Sequence, residues 1–465
     1  MSNQPDSMIR SLIAKDNPFN STEELLQWIK RRNEEIKVSI EPAELKSMDQ
    51  WYMDDDGCLR HRSGKFFSIE GVHVETDFGP RHEWDQPLIN QAEIGYIGII
   101  AKEMDGVMYF LMQSKVEPGN VNHVQISPTL QATYSNCIRV HNGKLPNYLE
   151  YFRDVRPDHI ILDQLQSEQG SRFIKKRNRN IIIRVDDDIE VKEDFRWMTL
   201  AQLKSLIRHD NLINMDTRTA LSGIRYANYM DDLADWSAFS PLGRDLILSA
   251  NAPHGLHSLD YHLFMLTRLK VQYSLKITPK PVNKLEEWNI YDDRIARADN
   301  QYFQIIGRKV SISNREVLSW YQPLLQPLEK GICAFIIKKI KGVLHFLVQA
   351  KVECGNFDTV EFAPTVQCSA EHTSDPYRQP LFLDYVENAD SKQIIYDTLQ
   401  SEEGGRFYRE QNRNMMVIAD DDFDAEDIPD NYTWMTLYQI NELLRYNNIF
   451  NIQARSLLAA LPYAE

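Results

Sequence analysis

Cysteine is scarce in this 465-residue chain. The five present (Cys58, Cys137, Cys333, Cys354, Cys368) show no Cys-x-x-Cys spacing. An odd, scattered set argues against both a disulfide framework and a zinc site. No run reaches the ~18 apolar residues of a membrane span, so no membrane partner is expected. Residues Met1 to Asn20 lack the apolar core of a signal peptide, and a cytoplasmic location is expected. Positive charge is also in deficit: 52 Lys and Arg against 67 Asp and Glu leave a net charge of −15. Binding a phosphate backbone needs a basic face, so nucleic acid is not an expected partner. A small anionic ligand, which needs only a local cluster of cations, stays open. There is no His-x-x-x-His spacing, no Gly-x-Gly-x-x-Gly and no P-loop. The rest is an ordinary globular composition, 43% hydrophobic and 26% charged.

What the chain does have, it has twice. Gln113-Ser-Lys115-Val-Glu117-Pro-Gly119-Asn120 returns as Gln349-Ala-Lys351-Val-Glu353-Cys-Gly355-Asn356, and Pro128-Thr129-Leu-Gln131 returns as Pro364-Thr365-Val-Gln367. Trp84-Asp-Gln86-Pro-Leu meets Trp320-Tyr-Gln322-Pro-Leu. Gln-Ser-Glu-x-Gly-x-Arg-Phe ends at Phe173 and again at Phe407, and Trp-Met-Thr-Leu begins at Trp197 and Trp434. Solenoid units span only ~20–50 residues, so this is a duplicated domain. The reading divides the chain into an N-terminal extension (1–19), a first repeat (20–224), a crossover (225–255) and a second repeat (256–465). The crossover, with Tyr226, Tyr229, Trp236, Phe239, Leu246 and Ile247, has no match elsewhere in the chain. It is too apolar for a flexible spacer, so it is expected to be ordered.

Within one repeat, Ser21 to Asn33 reads as a helix capped by Ser21 or Thr22. Phe66 to Val74, Gly95 to Ala101, Val107 to Lys115 and Val124 to Ile126 read as strands, with Asp105-Gly106 as a hairpin turn. Asp163 to Asn178 reads as a helix with a basic second half, followed by the strand Ile181 to Val185. A last helix runs from Thr199 to Ile207, with Thr199 as cap. Each repeat is α+β, a mixed sheet with helices beside it.

Period-two alternation puts Gln113, Lys115 and Glu117 on one face of their strand. An amide, an ammonium and a carboxylate in a row make a poor core. A solvated sheet face is the bland alternative, but recurrence beside Gly-Asn and Pro-Thr-x-Gln favours a ligand-facing surface. For Pro-Thr-x-Gln, a turn threonine satisfying local backbone and a group that reads a ligand are equally good readings. Trp84 and Trp320 are core anchors or stacking platforms for a ring. Arg172 and Arg179, with Arg406 and Arg413, fall seven residues apart. On a helix they would share a face and could hold a diphosphate; a solvated basic face is the alternative. Asp186-Asp187-Asp188 and Asp420-Asp421-Asp422 read as exposed turns, and no metal site is expected.

Taken together, these motifs resemble the NDP-hexose 2,3-dehydratase family. The resemblance spans both repeats in order and includes Pro-Thr-Leu-Gln-Ala-Thr-Tyr and Asn-Arg-Asn. It implies deoxysugar biosynthesis on dTDP-4-keto-6-deoxy-D-glucose, a homodimer, two tandem Nudix-like domains per chain that each bind a dTDP-sugar, and chemistry in only one of them. The Gly-x5-Glu-x7-Arg-Glu-x2-Glu-Glu Nudix pattern is missing, so metal-dependent diphosphate hydrolysis is not expected. A nucleotide-sugar binding protein without turnover, or a Nudix-like diphosphatase, are the competing readings.

The implied chemistry needs no redox cofactor. A ketone at carbon 4 acidifies the carbon-3 hydrogen, a base removes it, and a cation or hydrogen-bond donor holds the enolate oxygen. The carbon-2 hydroxyl then leaves with help from an acid. The candidates for chemistry are Glu117, Lys115, Tyr134 and His123, the last two replaced by Ala370 and Thr359 in the second repeat. The candidates for substrate binding in the first repeat are Trp84, Gln86, Gln113, Asn120, Thr129, Gln131, Arg172 and Arg179. In the second they are Trp320, Gln322, Gln349, Lys351, Glu353, Asn356, Thr365, Gln367, Arg406 and Arg413.

Overall fold

The computed structural model describes residues 6–133, 145–230, 236–315, 317–368 and 379–464. Among them the strands form two seven-stranded and two five-stranded sheets, one of each size per repeat. In the first large sheet the order is Ile160–Ser167, Arg177–Arg184, Gly95–Met104, Val107–Val116, Phe195–Met198. Val124–Ser127 and Leu130–Ala132 pair with the two central strands. Arg177–Arg184 runs parallel to Gly95–Met104 and the other pairs are antiparallel. The second large sheet repeats this with Ile394–Ser401, Gln411–Ile418, Ile332–Ile340 and Val343–Val352. The fold is α+β and duplicated. In the hairpins, Asp105 and Gly106 (φ 51° and 75°) and Lys341 and Gly342 (φ 50° and 85°) are left-handed. A two-residue hairpin turn needs this to match strand twist.

The small sheets exchange strands. Val38–Ala43, from the first repeat, pairs with Phe303–Ile312 of the second. Leu275–Pro279 pairs with Ser68–Thr76 of the first. Both incoming strands lie at sheet edges, where Pro42 and Pro279 remove no internal ladder bond. Glycine is required at the crossings: a Cβ on Gly71 would sit 2.3 Å from Lys280 O, and one on Gly307 would sit 2.3 Å from Ala43 O.

One hydrophobic core runs through both halves, from Met8 and Phe110 to Phe346 and Leu457. At its centre helices Met215–Leu221 and Ile452–Ala459 pack together. Arg218 donates to Ser456 Oγ (2.7 Å) and Ser401 O (2.6 Å). Arg455 donates to Thr219 Oγ1 (2.8 Å) and Ser167 O. Both guanidiniums are buried, and only such a full set of acceptors makes that tolerable.

Two expectations need correction. Asp163 to Asn178 is not a helix. Strand Ile160–Ser167 and strand Arg177–Arg184 pair antiparallel, with Leu165 opposite Arg179, and a loop joins them. The isoleucines at either end (Ile160, Ile161 and Ile181 to Ile183) favour a pleated sheet, and pairing in the sheet overrides the helical charge pattern. The crossover also does have a counterpart. Helix Pro241–Ala250 occupies the place of helix Ser7–Ile13. Ser249 Oγ accepts from Leu437 N and Ser11 Oγ from Leu200 N, both at 2.8 Å. Thr436 donates to Ala252 O, as Thr199 does to Ala14 O. Little sequence identity is left because these helices need only buried apolar residues and one serine. The helices Thr22–Glu35 and Leu200–Leu206 start at the capping residues Ser21 and Thr199 as expected.

Candidate active site

Strand Val107–Val116 buries Met112, Ser114 and Val116 and turns Gln113 and Lys115 to a cleft of about 1340 Å³, with Glu117 just beyond its end. The Lys115 ammonium lies 2.7 Å from Glu117 Oε1 and donates to Gln131 O at 3.2 Å. Arg315 stands 3.4 Å from the same carboxylate oxygen and donates to Val116 O. Burial pushes the Glu117 carboxyl up. The charges of Lys115 and Arg315 and the Lys115 hydrogen bond outweigh it and hold Glu117 at about 2. Glu117 is therefore a fixed anion and a weak base.

The opposite wall comes from the other repeat: Trp320, Gln322, Glu403, Gly405 and Arg406 face the first repeat's sheet. Two contacts set this pairing. Trp320 Nε1 donates to Gln322 Oε1 (2.7 Å), and Gln322 Nε2 donates to Gly405 O (3.0 Å), which fixes the Arg406 loop. The Glu117-Pro-Gly119-Asn120 turn then docks on that loop through Gly119 N to Gly404 O and Arg409 N to Gly119 O, both 2.7 Å. A Cβ on Gly119 would sit 1.6 Å from Phe407 O, so only glycine fits. The same contacts occur in mirror order. Trp84, Gln86 and Ser171 O repeat the first (2.8 and 3.0 Å), and Gly355 N to Gly170 O (2.6 Å) repeats the second. Each repeat's polar row thus meets the partner repeat's Trp-x-Gln and Glu-x-Gly-x-Arg loop.

The two constellations differ in charge. Lys351 donates to Gln367 O (2.7 Å), and the Gln367 amide donates to Glu353 Oε1 (2.9 Å). Burial pushes Glu353 up, and its Oε2 has no partner. At the spacing that separates Gln113 from Gln349, the counterpart of Arg315 is Gly79. Lys176, part of the basic run from Arg172 to Arg179, lines the cleft as well, and the cleft residues missed by motif matching are Asp216 and Glu403; the counterparts of the three are Glu410, Gln453 and Gln169. Mismatches between otherwise matching repeats were the signal that could have found them.

The remaining candidates separate. Gln131 lines the cleft and accepts from Asn214 (3.1 Å), and Gln367 accepts from Asn451 (2.7 Å). Thr129 and Thr365 are corrected: each hydroxyl accepts from a strand N–H (Ile100 at 3.0 Å, Ile336 at 2.9 Å) and donates to a carbonyl, so it is committed to backbone. Gln349 is likewise bonded to Pro364 O. Asn120 donates to His123 O (2.8 Å) and shapes its turn, while Asn356 is buried with both amide atoms unpartnered. Arg179 and Arg413 are corrected too. Each forms a two-pronged pair with an acid on the adjacent strand, Asp163 (2.7 and 2.6 Å) or Asp397 (2.9 and 2.6 Å). With no helix, Arg172 and Arg179 share no face: Arg172 stacks over Phe303 (4.3 Å). His123 is exposed in the turn, outside the cleft lining. Tyr134 lies outside the described residues. The aspartate triplets are exposed, and no group of three His, Cys, Asp or Glu able to hold a metal occurs among the described residues.

The profile described as NDP-hexose 2,3-dehydratase matches residues 22–224 and again 261–461. The chain belongs to that family. As a member of the NDP-hexose 2,3-dehydratases it is similar along nearly its full length to enzymes named dTDP-4-dehydro-6-deoxy-α-D-glucopyranose 2,3-dehydratase. The one from Saccharopolyspora spinosa is 42% identical, over 99% of this chain and 95% of its own length. Those from Streptomyces violaceoruber (41%, 93% and 95%) and Amycolatopsis orientalis (39%, 99% and 94%) agree. Both family matches together cover the strands and loops that build the composite cleft.

Proposed function

We propose that this protein is a hydro-lyase of deoxysugar biosynthesis. It removes water across carbons 2 and 3 of dTDP-4-keto-6-deoxy-D-glucose and yields a dTDP-3,4-diketo-2,6-dideoxy sugar. The observation that carries the reading is the composite cleft of a family member, in which the Lys115–Glu117 couple of one repeat faces Trp320 and Arg406 of the other. Lys115 is suited to the carbon-4 oxygen: a fixed cation where enolate charge develops stabilises the transition state more than the ground state. Glu117, held as an anion, keeps the Lys115 ammonium aimed. Arg406 supplies a cation for the diphosphate and Trp320 an aromatic face. The elimination is balanced without an external oxidant, because carbon 2 is reduced as carbon 3 is oxidised.

The test is incubation with dTDP-4-keto-6-deoxy-D-glucose in deuterium oxide. The expected product has lost one water and carries deuterium at carbon 2. Magnesium-dependent release of dTMP would point instead to diphosphate hydrolysis, and tight binding without turnover to a binding protein. Either result overturns the proposal.

A further inference from the structure

Three carboxylic acids that line the first repeat's cleft are amides in the second; Asp194, opposite Asn431, is paired with Arg32, which leaves two. Asp216, at the start of helix Met215–Leu221, and Glu403, on the loop from the other repeat, both line the cleft. Their counterparts are the amides Gln453 and Gln169. Asp216 is only 3% exposed, and its Oδ1 has no hydrogen-bond partner. A buried polar atom left without a partner costs about 1–3 kcal/mol, and a native structure keeps few of them. The amide in the same place in the other repeat shows that packing does not require an acid there. Gln453 Oε1 is likewise without a partner, so what sets Asp216 apart is an acid, in place of an amide, whose buried oxygen is left for a group that enters the cleft.

We propose that Asp216 and Glu403 are the proton-handling pair of the dehydration, taking the carbon-3 hydrogen and protonating the departing carbon-2 oxygen. This rests on the function proposed above. The electron pair of the C3–H bond moves toward carbon 4, whose oxygen becomes an enolate beside Lys115, and the proton goes to the ionised member of the pair. The C2–O bond then breaks as the C2–C3 double bond forms and the carbon-4 carbonyl is restored. The departing oxygen takes a proton from the pair and leaves as water. The pair ends with as many protons as it began with. On a gluco ring the carbon-3 hydrogen and carbon-2 hydroxyl share a face, so one site can serve both steps.

The electrostatics fit this role. Burial pushes Asp216 well above the usual carboxylate range, and Glu403 and then Glu168 add to it, while Lys115 opposes. Burial also raises Glu403, against Arg406, with Glu117 adding to the rise and Lys176 and Lys115 opposing it. Two acids raised by burial in one cleft, one able to hold its proton while the other is ionised, provide an acid and a base together. Glu117, held at about 2 by two cations, provides neither.

The experiment compares Asp216→Gln and Glu403→Gln, each of which installs the side chain the other repeat carries at that place, with the intact protein. Turnover of the 4-keto sugar is expected to fall about 100- to 10,000-fold in each, with dTDP affinity by calorimetry kept within about threefold. Washout of deuterium from carbon 3 of labelled substrate should fall in parallel, and the ionisation governing kcat/KM should shift or vanish. A merely structural residue would move none of these while leaving affinity intact. If both variants turn over within about threefold of the parent with an unchanged pH profile, the pair is not the proton-handling group. If the parent protein itself gives no elimination product, the functional reading falls instead, so the two failures are distinguishable.

Discussion

Glu361 shows how one side chain can tax the whole fold. It is buried, with Oε2 accepting from Ser167 Oγ at 2.7 Å and Oε1 unpartnered. Burial raises its carboxyl from 4.5 to about 7. Between those values the folded chain keeps a proton that the unfolded chain has released. Stability therefore falls as pH rises through that window, by about 3 kcal/mol in all. Its counterpart is Gln125, which donates to Ser401 Oγ at 2.8 Å. Glu361→Gln is expected to stabilise the protein at pH 8 relative to the parent and to lose that advantage by pH 5. Paired melting curves at the two pH values check this, and a difference independent of pH would refute it. Arg406 and Arg179 offer a second test at this scale. Arg406→Ala should weaken dTDP binding by about 1.5–3 kcal/mol, the worth of a charged hydrogen bond. Arg179→Ala, which frees Asp163 and uncovers the Tyr96 ring, should leave the calorimetric affinity unchanged. The polar row at Gln113, Lys115 and Glu117 was legible because alternation reports which face a side chain takes. The commitment of Thr129 to backbone was not, since a hydroxyl in a turn pattern reads alike whether it meets a carbonyl or a ligand.

At the level of elements, strands joined by tight turns and capped helices were readable from local chemistry: Asp105-Gly106, Ser21 and Thr199 act where their patterns place them. The error at Asp163 to Asn178 has a clear cause. Its charges recur at helical spacing, while its strand pairs with Arg177–Arg184, whose other partner, Gly95–Met104, lies some 80 residues earlier, and such a partner is invisible to local periodicity. The Gly119 and Gly355 turns are the most demanding elements, because each lies against backbone that cannot move aside. A Cβ at Gly355 would stand 1.7 Å from Phe173 O. Gly355→Ala is expected to destabilise the protein by about 3 kcal/mol or more, in the range of the severest single substitutions, as read by denaturant unfolding. A loss below about 0.5 kcal/mol, typical of surface changes, would show that the turn is free to shift.

For the whole molecule, the duplication was plain in the sequence, but its geometry was not. Matching Gln113 to Gln349 aligns one copy with the other and says nothing about which copy's sheet meets which copy's loop. That Arg406 completes the cleft of Lys115 is a property of docking. The shared core and exchanged strands predict that residues 1–255 expressed alone will lack a cooperative melting transition, and that co-expression with residues 256–465 will restore one. A sharp transition in the isolated fragment would show that the halves are independent domains.

The strand exchange also sets a clock. Val72 finds its partner Pro279 roughly 200 residues further along the chain, which at ~5–20 residues per second is roughly 10–40 s of synthesis. Throughout that interval the edge of strand Ser68–Thr76 has no neighbour, and an open edge is a template for pairing with another chain. The nascent protein is therefore most vulnerable to aggregation after its first large sheet can form and before Leu275–Pro279 emerges, so slowing translation between those points should lower the soluble yield more than slowing it afterwards.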